Sequence, residues 1–140
     1  MKDYVLDANS VLRYFDPKYA NDELVHSVFL QAQQDEARLS MSVINAGEVF
    51  YLLIRDAGEV RASNYMRILQ NLISIVEADL ERTMDAARLK HRYKLGYADS
   101  FAASLALSLK GTLVSADPDF EKIGKQLKWL KLPKFAGKTR

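Results

Sequence analysis

Short apolar runs alternate with amphipathic stretches along almost the whole chain, and this alternation restricts the fold more than any other feature. Tyr4-Val5-Leu6, Arg38–Met41, Ile73–Val76, Thr112–Ser115 and Leu127–Leu132 read as strands. The third is favoured by its β-branched side chains, and the last, with the only tryptophan, is expected at an edge. Between them lie helical patterns. Ser10 to Phe15 reads as a brief helix ended by Asp16-Pro17. Asn21 is expected to cap a longer helix with Leu24, Val25, Val28, Phe29 and Ala32 on one face, and Asp22 and Glu23 near its positive end. Ser42 caps a helix to Ala57, closed by Gly58, with Val49, Leu52 and Leu53 in its stripe. Further helices are predicted over Glu59–Leu72, from an Asp79 cap to Tyr93, and over Tyr97–Lys110, with Gly111 at the end of the last. That Ala- and Leu-rich helix, packing through Phe101, Ala102, Leu105 and Leu109, is expected to be the most buried. Asp117-Pro118-Asp119-Phe120 opens a short helix. Strands alternating with helices predict an α/β fold in three layers, a central parallel sheet of four to five strands covered on both faces. Right-handed crossovers then bring the carboxyl ends of the strands to one rim, where ligands of open α/β sheets bind.

Four acidic residues fall at that rim. Asp7 follows the first strand, Asp117 comes just after the fourth, Glu48 lies about two turns into its helix, and Asp99 lies near the start of another. Each is flanked by apolar sequence, where an isolated carboxylate is poorly tolerated. Taken singly, each has an ordinary role open to it: ending a strand, facing solvent, capping a helix, starting a turn. Brought together, each pair at about 4 Å would repel by roughly 4 kcal/mol at an effective dielectric near 20, so a divalent cation is their natural partner. An all-oxygen set drawn from scattered positions selects magnesium or manganese. In phosphodiester hydrolysis such ions activate a water, hold the scissile phosphate and stabilise the leaving oxygen.

Composition removes several other classes. With 140 residues, 49% hydrophobic and 27% charged, the chain is expected to form one domain over residues 1–140, with a basic tail at about 133–140. It has no cysteine, which excludes disulfides, thiolate nucleophiles and cysteine zinc sites and fits a reducing cytoplasm. The longest run free of Asp, Glu, Lys and Arg, Leu24 to Gln34, is far short of the ~20 apolar residues of a membrane span. Met1-Lys2-Asp3 leads straight into a strand, so neither a signal peptide nor a membrane segment is expected. The net charge of +2 is uneven. Lys122, Lys125, Lys128, Lys131, Lys134, Lys138 and Arg140 face only Glu121 after residue 120, leaving the body mildly acidic. Such a segment attracts polyanions, or is simply a solvated face. Asp7-Ala8-Asn9 lacks the second aspartate of haloacid-dehalogenase-like phosphotransferases, and no phosphate-binding glycine loop is present. His26 and His91 have no partnered Ser or Cys motif and read as surface or boundary residues. Arg88, Lys90, His91, Arg92 and Lys94 could flank an RNA groove or form a plain helix surface.

The four acids sit in segments that resemble a known set. Val5-Leu6-Asp7-Ala8-Asn9-Ser10-Val11-Leu12, Ser42-Val43-Ile44-Asn45-Ala46-Gly47-Glu48-Val49, Gly96-Tyr97-Ala98-Asp99-Ser100-Phe101-Ala102-Ala103 and Leu113-Val114-Ser115-Ala116-Asp117-Pro118-Asp119-Phe120 resemble, in order, the four motifs of PIN-domain ribonucleases and more narrowly of VapC toxins. The resemblance runs from about Lys2 to Leu132. It implies a PIN-like fold and a magnesium-dependent endoribonuclease, with manganese as an alternative ion. Asp7, Glu48 and Asp99 would form the metal-binding core and Asp117 the fourth acid. Asn9 matches a small polar position beside the first acid, and Ser115 stands where threonine is commoner. Asp119 rivals Asp117, which is preferred because it is closer to the strand end. The implied partners are RNA, a cognate antitoxin whose tail blocks the cleft, and a second copy in a homodimer. The helices around Val49, Leu53, Met66 and Leu69 offer apolar surface for those contacts, or core packing. A housekeeping PIN nuclease in RNA maturation and a non-catalytic RNA-binding or scaffolding module are the alternatives.

Overall fold

β1 (Lys2–Leu6), β2 (Ala37–Ser42), β3 (Ser74–Val76), β4 (Thr112–Ser115) and β5 (Lys128–Lys131) form one sheet in the computed structural model of the chain, which describes residues 1–134. The order is β3-β2-β1-β4-β5 and every pairing is parallel. The Trp129-bearing strand is at an edge, as its composition predicts. Lys138 and Arg140 of the expected tail lie outside the described residues.

The helices are α1 (Ala8–Phe15), α2 (Glu23–Gln33), α3 (Val43–Ala57), α4 (Glu59–Leu72), α5 (Leu80–Tyr93) and α6 (Tyr97–Leu109). Pro17–Tyr19 and Pro118–Gln126 are 3-10 segments, the second broken at Gly124, whose φ is 78°. Alternation along β1 divides the core. Tyr4 and Leu6 face Val11, Val28, Phe29, Val49 and Leu69 of α1 to α4. Val5 faces the other way with Leu113, onto Ala102, Leu105 and Ala106 of α6 and onto Phe120 and Ile123. The result is three layers, helices on both faces of a parallel sheet. α6 buries six residues, more than any other helix, which follows from its small side chains and their close approach to the sheet.

Several local expectations shift. α1 begins at Ala8, two residues early, because Asp7 itself is the cap, its Oδ1 accepting from the Ser10 amide at 2.9 Å. α2 is capped by Asp22 and not by Asn21: Asp22 Oδ1 accepts from the Val25 amide at 3.3 Å. α6 ends through Lys110, which takes the left-handed conformation (φ 55°) expected of Gly111. Gly111 is required by space instead, since a Cβ there would lie 2.7 Å from the Asp3 carbonyl oxygen of β1. Val49 and Leu69 are fully buried, and Leu53 and Met66 pack against the same core, so these four residues serve the core more than an interface. Among the described residues no helix is long and apolar enough to cross a membrane.

Register carries the fold to the rim. Leu6 pairs with Val114 and Val5 with Ser40, so Asp7, one residue beyond the first pair and two beyond the second, reaches the level of Ser115 on one side and of Ser42, the α3 cap, on the other.

Candidate active site

Asp7 is buried, 5% exposed, at the junction of β1 and α1. Its Oδ1 accepts from the Ser10 amide, and its Oδ2 accepts from the Ser115 hydroxyl at 2.5 Å. Burial pushes its pKa up, these hydrogen bonds hold it down in part, and the Asp117 charge raises it further. Each oxygen uses one acceptor direction on the protein and keeps capacity for a cation.

Ser42 starts α3 by accepting from the Ile44 amide at 3.1 Å, and the helix carries Glu48 to the cleft. Glu48 is exposed at the mouth, yet its pKa is raised by partial burial and then by the Asp7 charge. Between cap and acid lies Asn45, fully buried, whose Nδ2 donates to the Ala98 carbonyl at 3.1 Å. That bond ties the first turn of α3 to the first turn of α6, one residue before Asp99. Its Oδ1 is buried without a partner among the described residues. Asp99 lies close over Gly96, where a Cβ would meet Asp99 Oδ2 at 3.2 Å. The Asp99 pKa is raised to about 7, first by burial, then by a hydrogen bond with Asp117, then by the charges of Asp117, Asp7 and Glu48.

Asp117 caps the second 3-10 segment, accepting from the Asp119 amide at 2.9 Å. The Ser115 hydroxyl accepts from the Asp117 amide at 3.0 Å while donating to Asp7, so a single buried hydroxyl orients two acids. Asp119 is half-exposed and pairs with Lys122 at 3.6 Å. Of the two loop carboxylates only Asp117 lines the cleft.

Asp7, Glu48, Asp99 and Asp117 thus share one open cleft of about 480 Å³, with Asn9, Leu12, Leu52 and Ala116 in its walls. Among the described residues no three His, Cys, Asp or Glu side chains are drawn into a ready-made metal-ligating cluster. The donor set is nevertheless all oxygen, and three of its members have pKa values raised in part by one another's charge. An open, mutually repelling carboxylate set fits a hard divalent ion that keeps several of its waters. Two further cleft residues, Arg13 and Lys134, carry positive charge. Sequence reasoning missed Arg13 and placed Lys134 in a basic tail expected to attract polyanions, without assigning it to the cleft. A lone arginine after an apolar run gives no periodic signal, and the partner that ties it to the C-terminal segment, the Pro133 carbonyl, is 120 positions away. Arg88, Lys90, His91, Arg92 and Lys94 do not line this cleft: Arg88, His91 and Arg92 border a separate groove between α5 and α6. His26 sits against Tyr14 and within 3.2 Å of the Tyr19 carbonyl, an ordinary boundary position.

The PIN domain family profile matches residues 4–126. No curated protein matches the sequence. Among solved structures, VapBC2 from Rickettsia felis bound to a DNA fragment from its promoter is similar with a TM-score of 0.75 at 18% identity, covering 93% of this chain and 98% of that one. DNA-bound VapBC from Salmonella typhimurium gives 0.75 at 16% identity, covering 94% and 98%. The sarcin-ricin loop cleaving toxin VapC20 of Mycobacterium tuberculosis gives 0.67 at 15% identity, covering 86% and 95%. At such identities the likeness is one of fold.

Proposed function

The chain belongs to the PIN-domain family, and from that premise we propose that it is a metal-dependent endoribonuclease acting as the toxin of a toxin–antitoxin pair. The observation that carries the reading is the convergence of Asp7, Glu48, Asp99 and Asp117 on one cleft at the carboxyl rim of the sheet. RNA as substrate is taken from the likeness to a toxin that cleaves the sarcin-ricin loop, and the antitoxin partner from the likeness to VapBC complexes. Residues 1–140 would form one PIN-like domain that works in the cytoplasm as a homodimer.

Asp7, Glu48 and Asp99 would hold magnesium, or manganese, with Asp117 direct or through water. The bound ion would supply an activated water and charge stabilisation for the departing oxygen. The chain's own contribution is preorganisation. Ser10 and Ser115 fix both oxygens of Asp7, and Asn45 fixes the start of α3 relative to α6. Asp99 keeps its proton to about pH 7 until it is loaded. Asn9, exposed beside Asp7 with its Oδ1 accepting from Arg13, would support the site as the small polar neighbour of the first acid.

The test uses purified protein and cells together. Cleavage of total RNA should require magnesium or manganese and stop with EDTA. At magnesium 100-fold above its dissociation constant, unfolding should be harder by roughly 2.7 kcal/mol, a shift that Asp99→Asn reduces sharply. Induced expression should arrest growth, with new RNA 5′ ends, and Glu48→Gln should relieve the arrest while accumulating normally. Harmless expression of protein that cleaves RNA in vitro would remove the toxin role and favour RNA maturation. Metal-independent cleavage would remove the metal site, and absent cleavage the nuclease.

A further inference from the structure

We propose that Lys134 is a phosphate-contacting residue of the acidic cleft, placed there by Arg13, which ties the chain after β5 to α1. The proposal rests on the endoribonuclease reading and adds to it the means by which a polyanion enters a pocket of four carboxylates.

Arg13 is 4% exposed, too buried to remain unpaired. Its Nε donates to Asn9 Oδ1 at 3.1 Å, one turn earlier on α1. Its Nη1 donates to Asp22 Oδ2 at 3.2 Å and to the Pro133 carbonyl at 2.7 Å. The guanidinium lies 4.6 Å from the centre of the Tyr19 ring. Asp22 is equally buried in this ion pair, and its Oδ1 caps α2. Arg13 therefore joins α1, the start of α2 and the C-terminal segment, and the last contact spans 120 positions.

The residue just before is pinned as well. The Leu132 amide donates to the Ser115 carbonyl at 2.9 Å, and its side chain is 1% exposed. With residues 132 and 133 held on two sides, the path of the chain into the cleft wall is fixed, and the next residue is Lys134. Lys134 is exposed and has no ion pair or hydrogen bond among the described residues, the cleft acids included. Other lysines of the same basic stretch are engaged locally, Lys122 with Asp119 and Lys128 with the Lys110 carbonyl. An ammonium at the edge of a carboxylate pocket that neutralises no partner among the described residues can pair with a phosphate next to the scissile one.

The experiment compares Lys134→Gln and Lys134→Arg with the wild type. Cleavage of total cellular RNA gives apparent KM and kcat. Binding of a mixed-sequence single-stranded oligoribonucleotide is followed over a salt series in the Asp99→Asn background. Lys134→Gln is expected to raise KM about tenfold, the scale of one charge-assisted hydrogen bond, with kcat little changed. It should also lower the log-log salt slope by about 0.7, and Lys134→Arg should restore both. Arg13→Gln alone could unfold the chain by leaving Asp22 buried and unpaired, so it is paired with Asp22→Asn, which keeps a good cap. That double variant should raise KM in the same way, and adding Lys134→Gln to it should change nothing more, whereas a purely structural Arg13 would lower stability and leave KM alone. Unchanged KM and slope in Lys134→Gln, or tighter RNA binding, would overturn the assignment while wild-type cleavage keeps the nuclease reading intact. Wild-type protein that neither binds nor cleaves RNA would overturn both.

Discussion

Asp99 holds its proton to about pH 7, against an ordinary 3.8, because it is partly buried, shares a hydrogen bond with Asp117 and faces three like charges. Below pH 3.8 it is neutral whether the chain is folded or not. As the pH rises from there towards 7 the unfolded chain gives up the proton first, so metal-free stability falls across that window. Asp99→Asn should flatten this fall and unfold later than wild type at neutral pH in EDTA, while losing cleavage; a pH series of thermal unfolding checks it. Ser115→Ala works in the opposite sense. It takes the donor from Asp7 Oδ2 and the acceptor from the Asp117 amide, so stability should drop by about 1–3 kcal/mol in denaturant unfolding. The acids were legible in the sequence because each interrupts or adjoins an apolar run. Asn45 and Arg13 were not, because their meaning comes from carbonyls 53 and 120 positions away, which no local pattern encodes.

At the scale of elements, one side chain serves two purposes where β1 meets α1. Asp7 caps the helix and lines the cleft, so its substitutions should separate folding from chemistry. Asn caps as well as Asp and its Nδ2 can donate to Ser115 Oγ in place of the bond that Oδ2 accepts, so Asp7→Asn should stay within about 1 kcal/mol of wild-type stability while losing cleavage. Asp7→Ala should lose cleavage and more stability, about 1 kcal/mol for the cap and about 1–3 kcal/mol for the buried Ser115 hydroxyl left without its acceptor, read by urea unfolding alongside the Asn variant. The parallel pairing of the strands could be read because helices lie between them, whereas their order, β3-β2-β1-β4-β5, could not, because no local pattern says which strand neighbours which. Element ends were less legible. Asn21 and Asp22 both offer a capping oxygen, and the choice is made by the Arg13 ion pair that fixes Asp22. At the end of α6, Lys110 accepts left-handed geometry because Gly111 is needed to let the chain pass against Asp3.

Over the whole molecule the basic C-terminal segment does not form a single cationic face. Lys128 begins β5, beside Thr112 at the rim opposite the cleft, and reaches the Lys110 carbonyl. Lys122 is held by Asp119 and lies within 3.4 Å of the Lys94 carbonyl. Lys131 lies over the Trp129 ring at 5.4 Å. The charge count in the sequence was correct in sum and silent on direction, because a strand turns successive lysines to different surroundings and a loop returns others to carbonyls. Only Lys134 of the described basic residues in that stretch lines the acidic cleft. Replacing Lys122 and Lys128 together with Gln should therefore leave the salt dependence of RNA binding where it was. Replacing Lys138 and Arg140 with Gln tests whether the chain beyond Lys134 continues along the same polyanion. If both contact phosphate, the log-log slope should fall by about 1.4 beyond the loss of Lys134, and cleavage at saturating RNA should persist. If the slope is unchanged, phosphate recognition ends at the cleft wall and the last residues serve another purpose.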